Sequence, residues 1–254
     1  MSNDLLNLDF NKVINEITGF ISEQVRSRKK NGVIIGLSGG LDSSVCLALA
    51  TRAIRRNKIV ALIMPERRLT PKEDLQNARD LAKDLKINSK EIHFEDAKRI
   101  LLKNLPTNKL ASGNLSARIR MALLYHYAAI NNLLVLGTSD KSELMVGYFT
   151  KFGDGAADIL PLGGLYKSQV KFLGKQLGLS EQIVNQPSSP RFWKGHVAEK
   201  EIGLKYNEID AILLCYLQND LINCKQSKRK IKLVIDMITK SQHKREHIPI
   251  ITPQ

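Results

Sequence analysis

The chain has 254 residues, 43% hydrophobic and 25% charged, which is enough for one full-sized domain with a buried core and excludes disorder, a collagen repeat and a disulfide scaffold. The longest apolar run, Ala211–Leu217, has seven residues, far short of the ~18 that a membrane span needs. Lys and Arg outnumber Asp and Glu by 39 to 25, a net charge of +14, which admits a nucleic-acid partner, an anionic small substrate or a solvated face.

Part of that excess is local: residues 221–254 carry eight Lys or Arg against two acids. The opening MSNDLLNLDF is acidic and polar, so no signal peptide is expected. Cys46, Cys215 and Cys224 have no zinc spacing and point to a reducing, cytoplasmic compartment.

In chain order, residues 4–29 place Leu5, Leu6, Phe10, Val13, Ile14, Ile17, Ile21 and Val25 at helical spacing. Their apolar face suits either packing on the same domain or an interface with a second copy. VIIGL (33–37) reads as a strand, followed by SGGLDSSV and a helix to about Ile54. KIVALIMPE (58–66) is a second strand. PKEDLQNARDLAKDLK (71–86) is a helix with Pro71 in its first turn. KEIHFE (90–95) is a third strand, SARIRMALLYHYAAINN (116–132) a helix and LLVLGTS (133–139) a fourth strand. A further helix lies within residues 161–179, and the rest is mostly helical apart from the loop QPSSPRFWKG (186–195). Alternation of short apolar strands with helices predicts an α/β fold, a doubly wound parallel sheet flanked by helices with a helical C-terminal extension. Ligands bind such sheets beyond the carboxyl ends of the strands.

Ser38-Gly39-Gly40-Leu41-Asp42-Ser43 joins the first strand to a helix. Paired glycines let backbone N–H groups turn toward an anion, and the helix N-terminus adds its dipole. It is neither a Walker A loop nor GxGxxG. A carboxylate at Asp42 repels phosphate unless a cation lies between, and Mg²⁺ resolves the conflict. The element resembles the pyrophosphatase loop of the N-type ATP pyrophosphatases, whose adenine nucleotide alpha hydrolase-like fold is then expected.

A second segment is longer: GTSDKSE (137–143), then GYFTKFGDGAADILPLGGLYKSQV (147–170). It resembles NAD synthetase throughout, and with the loop and the tail the resemblance spans Gly36 to Lys244. It implies a ligase that adenylates the nicotinate carboxylate of deamido-NAD with ATP, releases pyrophosphate, and lets ammonia displace AMP. Residues 36–43, Thr138, Lys167 and Ser188 match ATP-binding positions, with Ser189 as a substitute for Ser188. Within 36–43 these are Gly36, Leu37, Ser38, Gly39, Gly40, Leu41, Asp42 and Ser43. Asp42 and Glu143 match Mg²⁺ ligands. Arg118, Lys151, Asp158, His243 and Lys244 match deamido-NAD positions, and Arg120 is expected to point elsewhere on its helix.

Asp154 matches the residue thought to take a proton from ammonium, and an Asp that only shapes the GDG turn is the alternative. Lys167 offsets charge on the leaving pyrophosphate. Ala156 stands where the family often has glycine, which strains the loop if that position needs positive φ. Only 32 residues precede the first strand, so a single synthetase domain without a glutaminase unit is expected, with free ammonia as the nitrogen source. The resemblance also implies a homodimer, and no nucleic acid or membrane as partner. A tRNA-modifying adenylating enzyme and a non-catalytic binding protein of the same fold are the rival readings. The segment after the last helix is expected to close over bound dinucleotide and to lack order without it.

Overall fold

Four strands form one parallel sheet in the computed structural model, which describes residues 5–252. They are β1 (Gly32–Gly36), β2 (Ile59–Ile63), β3 (Asn88–Glu91) and β4 (Leu133–Leu136), in the order β3-β2-β1-β4. Alternate side chains divide between two layers, as the period of two requires. Val33, Ile35, Ala61, Ile63, Leu134 and Leu136 enter one apolar cluster, whereas Ile34, Leu62 and Val135 enter another on the opposite face.

The first face is covered by α1 (Phe10–Ser27), α2 (Leu41–Ala53), α3 (Lys72–Asp84) and α7 (Lys167–Gln176). Phe10, Ile14, Ile21 and Val25 bury the apolar stripe of α1 there, with the Phe10 ring 4.4 Å from Phe172. That settles the two uses left open for the stripe in favour of its own domain. The helix starts at Phe10 rather than near residue 4, because the Asp9 carboxylate caps it by accepting from the Asn11 and Lys12 N–H groups. Residue 4 lies outside the described residues.

The second face is covered chiefly by α5 (Lys109–Asn131). This helix begins seven residues before the predicted start at 116, because Asn108 caps it through the Ala111 N–H. β3 lies two residues earlier than predicted and is fully exposed along its length. Pairing of Val60 with Asn88 sets its register, while Phe94 leaves the strand to pack on the second face and start α4 (Glu95–Leu102), a helix the sequence reading did not anticipate. A short polar edge strand also resists pairing with another chain.

The remaining helices are α6 (Lys141–Val146), α8 (Glu181–Val184), α9 (Ala198–Ile202), α10 (Tyr206–Leu217) and α11 (Lys228–Lys240). The last three, with α6, enclose a separate apolar cluster built on Ile209, Leu213 and Val234. Strand order reverses between β1 and β4, so a crevice opens beyond their carboxyl ends. No helix among the described residues is long and apolar enough to cross a membrane.

Candidate active site

The turn between β1 and α2 is held open by its own hydroxyls. The Ser38 N–H donates to Ser43 Oγ (3.2 Å), the Gly40 N–H donates to Ser38 Oγ (3.2 Å), and the two hydroxyls lie 3.0 Å apart. Gly40 is the N-cap of α2 and offers no side-chain cap, so the first amides of this 13-residue helix remain available to an anion. Gly39 has φ +79°, and a Cβ there would lie 1.9 Å from the Asp74 carbonyl oxygen of α3. Only glycine fits this turn.

Asp42, in the first turn of α2, faces Glu143 of α6 across the β1–β4 crevice, and Lys167 at the start of α7 lies between them. Its Nζ is 2.8 Å from a carboxylate oxygen of each of Asp42, Asp140 and Glu143. Asp140 is fully buried and also caps α6 by accepting from the Glu143 N–H (2.8 Å). Burial opposes a charge on Lys167, but the three carboxylates outweigh it and hold the ammonium well above the usual lysine range. Burial pushes the Asp140 carboxyl up to about 6 and raises Glu143 as well, against the attraction of Lys167.

These groups line one cavity of about 670 Å³. All the predicted ATP-binding residues reach it except Gly39, and Glu143 and Asp154 line it too. Ser188 and its substitute Ser189 both lie on its wall. Ser189 is committed to its own loop, donating to the His196 carbonyl and accepting from the Arg191 N–H. Ser188 is held through its carbonyl, which accepts from the Ala198 N–H (2.9 Å). The loop 186–195 is tied to α3 by Asp74, which accepts from Arg191 Nε (2.8 Å) and from the Gln186 amide.

The predicted deamido-NAD residues do not line this cavity. Arg118 is exposed and donates to the Lys151 carbonyl (3.3 Å), while Lys151 Nζ donates to the His243 carbonyl (2.6 Å). Lys244 Nζ donates to the carbonyls of Gly147 (2.7 Å) and Phe149 (2.8 Å). Four of the five residues thus gather along the 147–151 turn and the tail. Asp158 stands apart: one of its oxygens accepts the Val135 N–H (2.7 Å) and continues the edge of β4.

Arg120, not among the residues matched to the family, lies on a different side of its helix from Arg118. It points away from Arg118, as the spacing requires, but into the cavity, where Nε donates to the Met64 carbonyl (3.0 Å). The tail has hydrogen-bond partners of its own. Arg245 donates to the carbonyls of Met145 (2.8 Å) and Ile238, which ties residues 241–245 to the 144–149 segment and to α11. Ala156 is not at positive φ, which removes the expected strain. The residue of this loop in the left-handed region is Phe152, at φ +61°.

Asp154 accepts from the Thr150 N–H (3.0 Å) and keeps an exposed face toward the cavity. Surrounding protein raises its carboxyl above the ordinary range, with Lys244 acting in the opposite direction. Cys46 is fully buried behind the site, its thiol 3.6 Å from the Gly137 carbonyl, and is core as expected.

Asp140 and Asp210 were missed from the sequence. Asp140 carries the capping signal of an acid three residues before Glu143. Asp210 sits between Ile209 and the apolar run 211–217 of α10. Its buried carboxylate accepts from Ser142 Oγ (2.5 Å) and from the N–H (2.9 Å) and hydroxyl of Ser168. Ser142 Oγ in turn accepts from the Lys167 N–H (2.9 Å). One carboxylate therefore supports the neighbours of both Glu143 and Lys167. Asp210→Ala is expected to lower stability by about 2–3 kcal/mol, since charged hydrogen bonds are lost and donors are stranded. It should also slow pyrophosphate release about tenfold. Denaturant titration and a pyrophosphate assay check the two effects.

Known proteins share this arrangement of elements. The sequence profile of the family described as NAD synthase matches residues 13–248. An NH(3)-dependent NAD(+) synthetase of Hyperthermus butylicus is 42% identical over 259 residues, covering 99% of this chain and 94% of that protein. An NMN synthetase from Francisella tularensis superposes with a TM-score of 0.87 at 34% identity, covering 97% of this chain and 99% of the other. An NH3-dependent NAD synthetase from Campylobacter jejuni gives 0.84 at 33%, covering 96% and 100%. With the glycine turn, the β1–β4 crevice and the Lys167 cluster in place, the chain belongs to the NAD synthase family.

Proposed function

We propose that this chain is an ammonia-dependent NAD synthetase acting as a single catalytic domain in the cytoplasm. It transfers AMP from ATP to the nicotinate carboxylate of deamido-NAD, releasing pyrophosphate, and ammonia then displaces AMP to form the amide. The observation that carries the reading is the meeting of the open helix N-terminus of α2 with Lys167 in one cavity beyond β1 and β4. The amides of α2 bind phosphate oxygens, and Lys167 offsets charge as it develops on the leaving pyrophosphate. Thr138 and Ser188, which both line the cavity, hold the nucleotide.

Mg²⁺ fits the donor set. Asp42 and Glu143 supply hard oxygens, and Asp42 Oδ1 is buried without a hydrogen-bond partner. A bound Mg²⁺ supplies charge neutralisation between these carboxylates and phosphate. Asp42→Asn is expected to slow pyrophosphate release in the absence of ammonia by about 10² while the fold persists. Release within threefold of the parent rate rejects Asp42 as a ligand.

Asp154 attracts ammonium and accepts its proton, for which its raised pKa suits it. Asp154→Asn is expected to spare adenylate formation and slow amide formation, with partial recovery as rising pH supplies free ammonia. Equal loss in both half-reactions assigns Asp154 to the turn alone. Arg118, Lys151, Asp158, His243 and Lys244 remain the proposed dinucleotide residues, all but Asp158 on the 147–151 side of the site. A second copy completes the assembly as a homodimer, supported by exposed Ile100, Leu101, Leu105, Leu110 and Ile130 on and around α4 and α5.

A second acceptor is raised by the NMN synthetase neighbour. Nicotinate mononucleotide offers the same carboxylate without the adenylyl half. The deciding assay uses the purified full chain with ATP, Mg²⁺ and ammonium, and either acceptor. NAD, AMP and pyrophosphate in equal amounts from deamido-NAD are expected, with glutamine failing to replace ammonium. Faster turnover of the mononucleotide selects the second reading, and turnover of neither acceptor rejects both.

A further inference from the structure

The substrate site does not account for the chain's positive charge. Parallel topology sends every helix-to-strand turn to the amino-terminal edge of the sheet, opposite the catalytic crevice. The turn before β1 carries Arg26, Arg28, Lys29 and Lys30; that before β2 carries Arg52, Arg55, Arg56 and Lys58; that before β3 carries Lys83 and Lys86. Strand order β3-β2-β1 places these three turns side by side. Residues 26–31, 52–58 and 83–87 together hold ten cations and one acid, Asp84. Nine of the ten cations are exposed, and only Arg26 is paired with a carboxylate, that of Glu23, among the described residues.

Three of the cations sit in last helical turns, where they complement the helix dipole. Arg56 and Lys58 lie in a single 3-10 turn, Arg56–Lys58, too short to carry much dipole, and the other five lie beyond the helices, where that account does not reach. Like charges crowded on one face repel and cost stability unless a polyanion meets them. The chemistry of the face narrows the partner. None of the three turns contains an aromatic residue, and none contributes an exposed large apolar side chain. Stacking on unpaired bases therefore has no platform. Insertion into a bilayer has no apolar anchor. What remains is repeated phosphate, at the high linear density of a duplex, about one charge per 1.7 Å of axis.

We propose that the amino-terminal edge of the sheet is a docking face for the phosphate backbone of double-stranded nucleic acid. Binding there is independent of base sequence and leaves the catalytic cavity open at the other end. The family resemblance implies no nucleic-acid partner, and the surface is divided among three segments of the sequence that only the sheet joins. DNA and RNA duplexes share the chemistry, and the test uses both.

Fluorescence anisotropy of a labelled duplex of about 20 base pairs, DNA or RNA, is followed against the full chain as salt rises. With ~0.9 of slope per neutralised phosphate, the logarithm of affinity should fall with the logarithm of salt with a slope near −5 for at least one duplex. The variant Arg55→Glu/Arg56→Glu/Lys58→Glu should weaken binding at least 100-fold and reduce the slope by about 3. NAD formation should be unchanged. A second variant, Lys228→Glu/Arg229→Glu/Lys232→Glu on α11, should stay within threefold of the parent in duplex affinity. The proposal is overturned if neither duplex binds at about 0.1 M salt, or if the first variant binds like the parent. Loss of binding in the α11 variant alone overturns it too, as does binding of anionic vesicles in preference to either duplex.

Discussion

Lys167→Met is expected to stop adenylate formation, with pyrophosphate release falling by about 10³ or more. The side chain is 8% exposed and touches three carboxylates at 2.8 Å. Its removal acts twice. The developing charge on pyrophosphate loses its counter-charge in a site with little water, an effect of the order of 10²–10³ by itself. Asp42, Asp140 and Glu143 then face one another without a cation, and breaking a buried pair by removing one partner costs about 3–5 kcal/mol. Thermal unfolding should therefore shift downward alongside the rate. Lys167→Arg separates the effects: it keeps the charge, but its planar fork does not match three single oxygens converging on one nitrogen. Stability should recover more than rate. Pyrophosphate release by the Met variant within tenfold of the parent would remove Lys167 from the chemistry.

Gly39→Ala is expected to cost 10²–10³ in adenylation although it adds a single methyl group. The residue holds φ +79°, where an L side chain costs roughly 1–2 kcal/mol. The added Cβ would also meet the Asp74 carbonyl oxygen at 1.9 Å. Asp74 cannot retreat freely, since Arg191 and Gln186 hold its carboxylate. The turn must move instead, and with it the hydroxyl pair of Ser38 and Ser43 and the N-terminus of α2. Displacements of about 1 Å at a positioned site are enough for losses of 10². The change should appear as a higher KM for ATP and a lower kcat, with a modest fall in melting temperature. Unaltered ATP kinetics would show that the turn tolerates the shift and that its glycine serves packing alone.

Much of this site was legible because its chemistry is local. Ser38 to Ser43 form a contiguous turn whose glycines, hydroxyls and following helix state their purpose without any partner. Glu143 and Lys167 were marked by the long segment 137–170. Helical spacing separates Arg120 from Arg118 without saying which of the two faces the cavity. Packing of α5 on the second face of the sheet decides that. The charged tail donates to carbonyls of residues 144–149 and of Ile238, acceptors that no charge count records. Asp210 was silent because its partners, Ser142 and Ser168, lie 68 and 42 residues away.

By itself, then, the sequence determined the order of the four strands and of the helices between them except α4, the anion-binding turn, and the residue types that phosphate and metal chemistry require. These follow from period-two and helical burial and from glycine's backbone freedom, all properties of neighbouring residues. The tertiary structure alone decided that β4 pairs with β1 rather than with β3. It thereby brought Asp42 to Lys167, 125 positions along the chain, and surrounded one ammonium with three carboxylates. Such pairings depend on how two apolar faces of one sheet are covered, a choice made by the summed burial of the whole domain. The same choice of strand order set three basic turns side by side at the far edge.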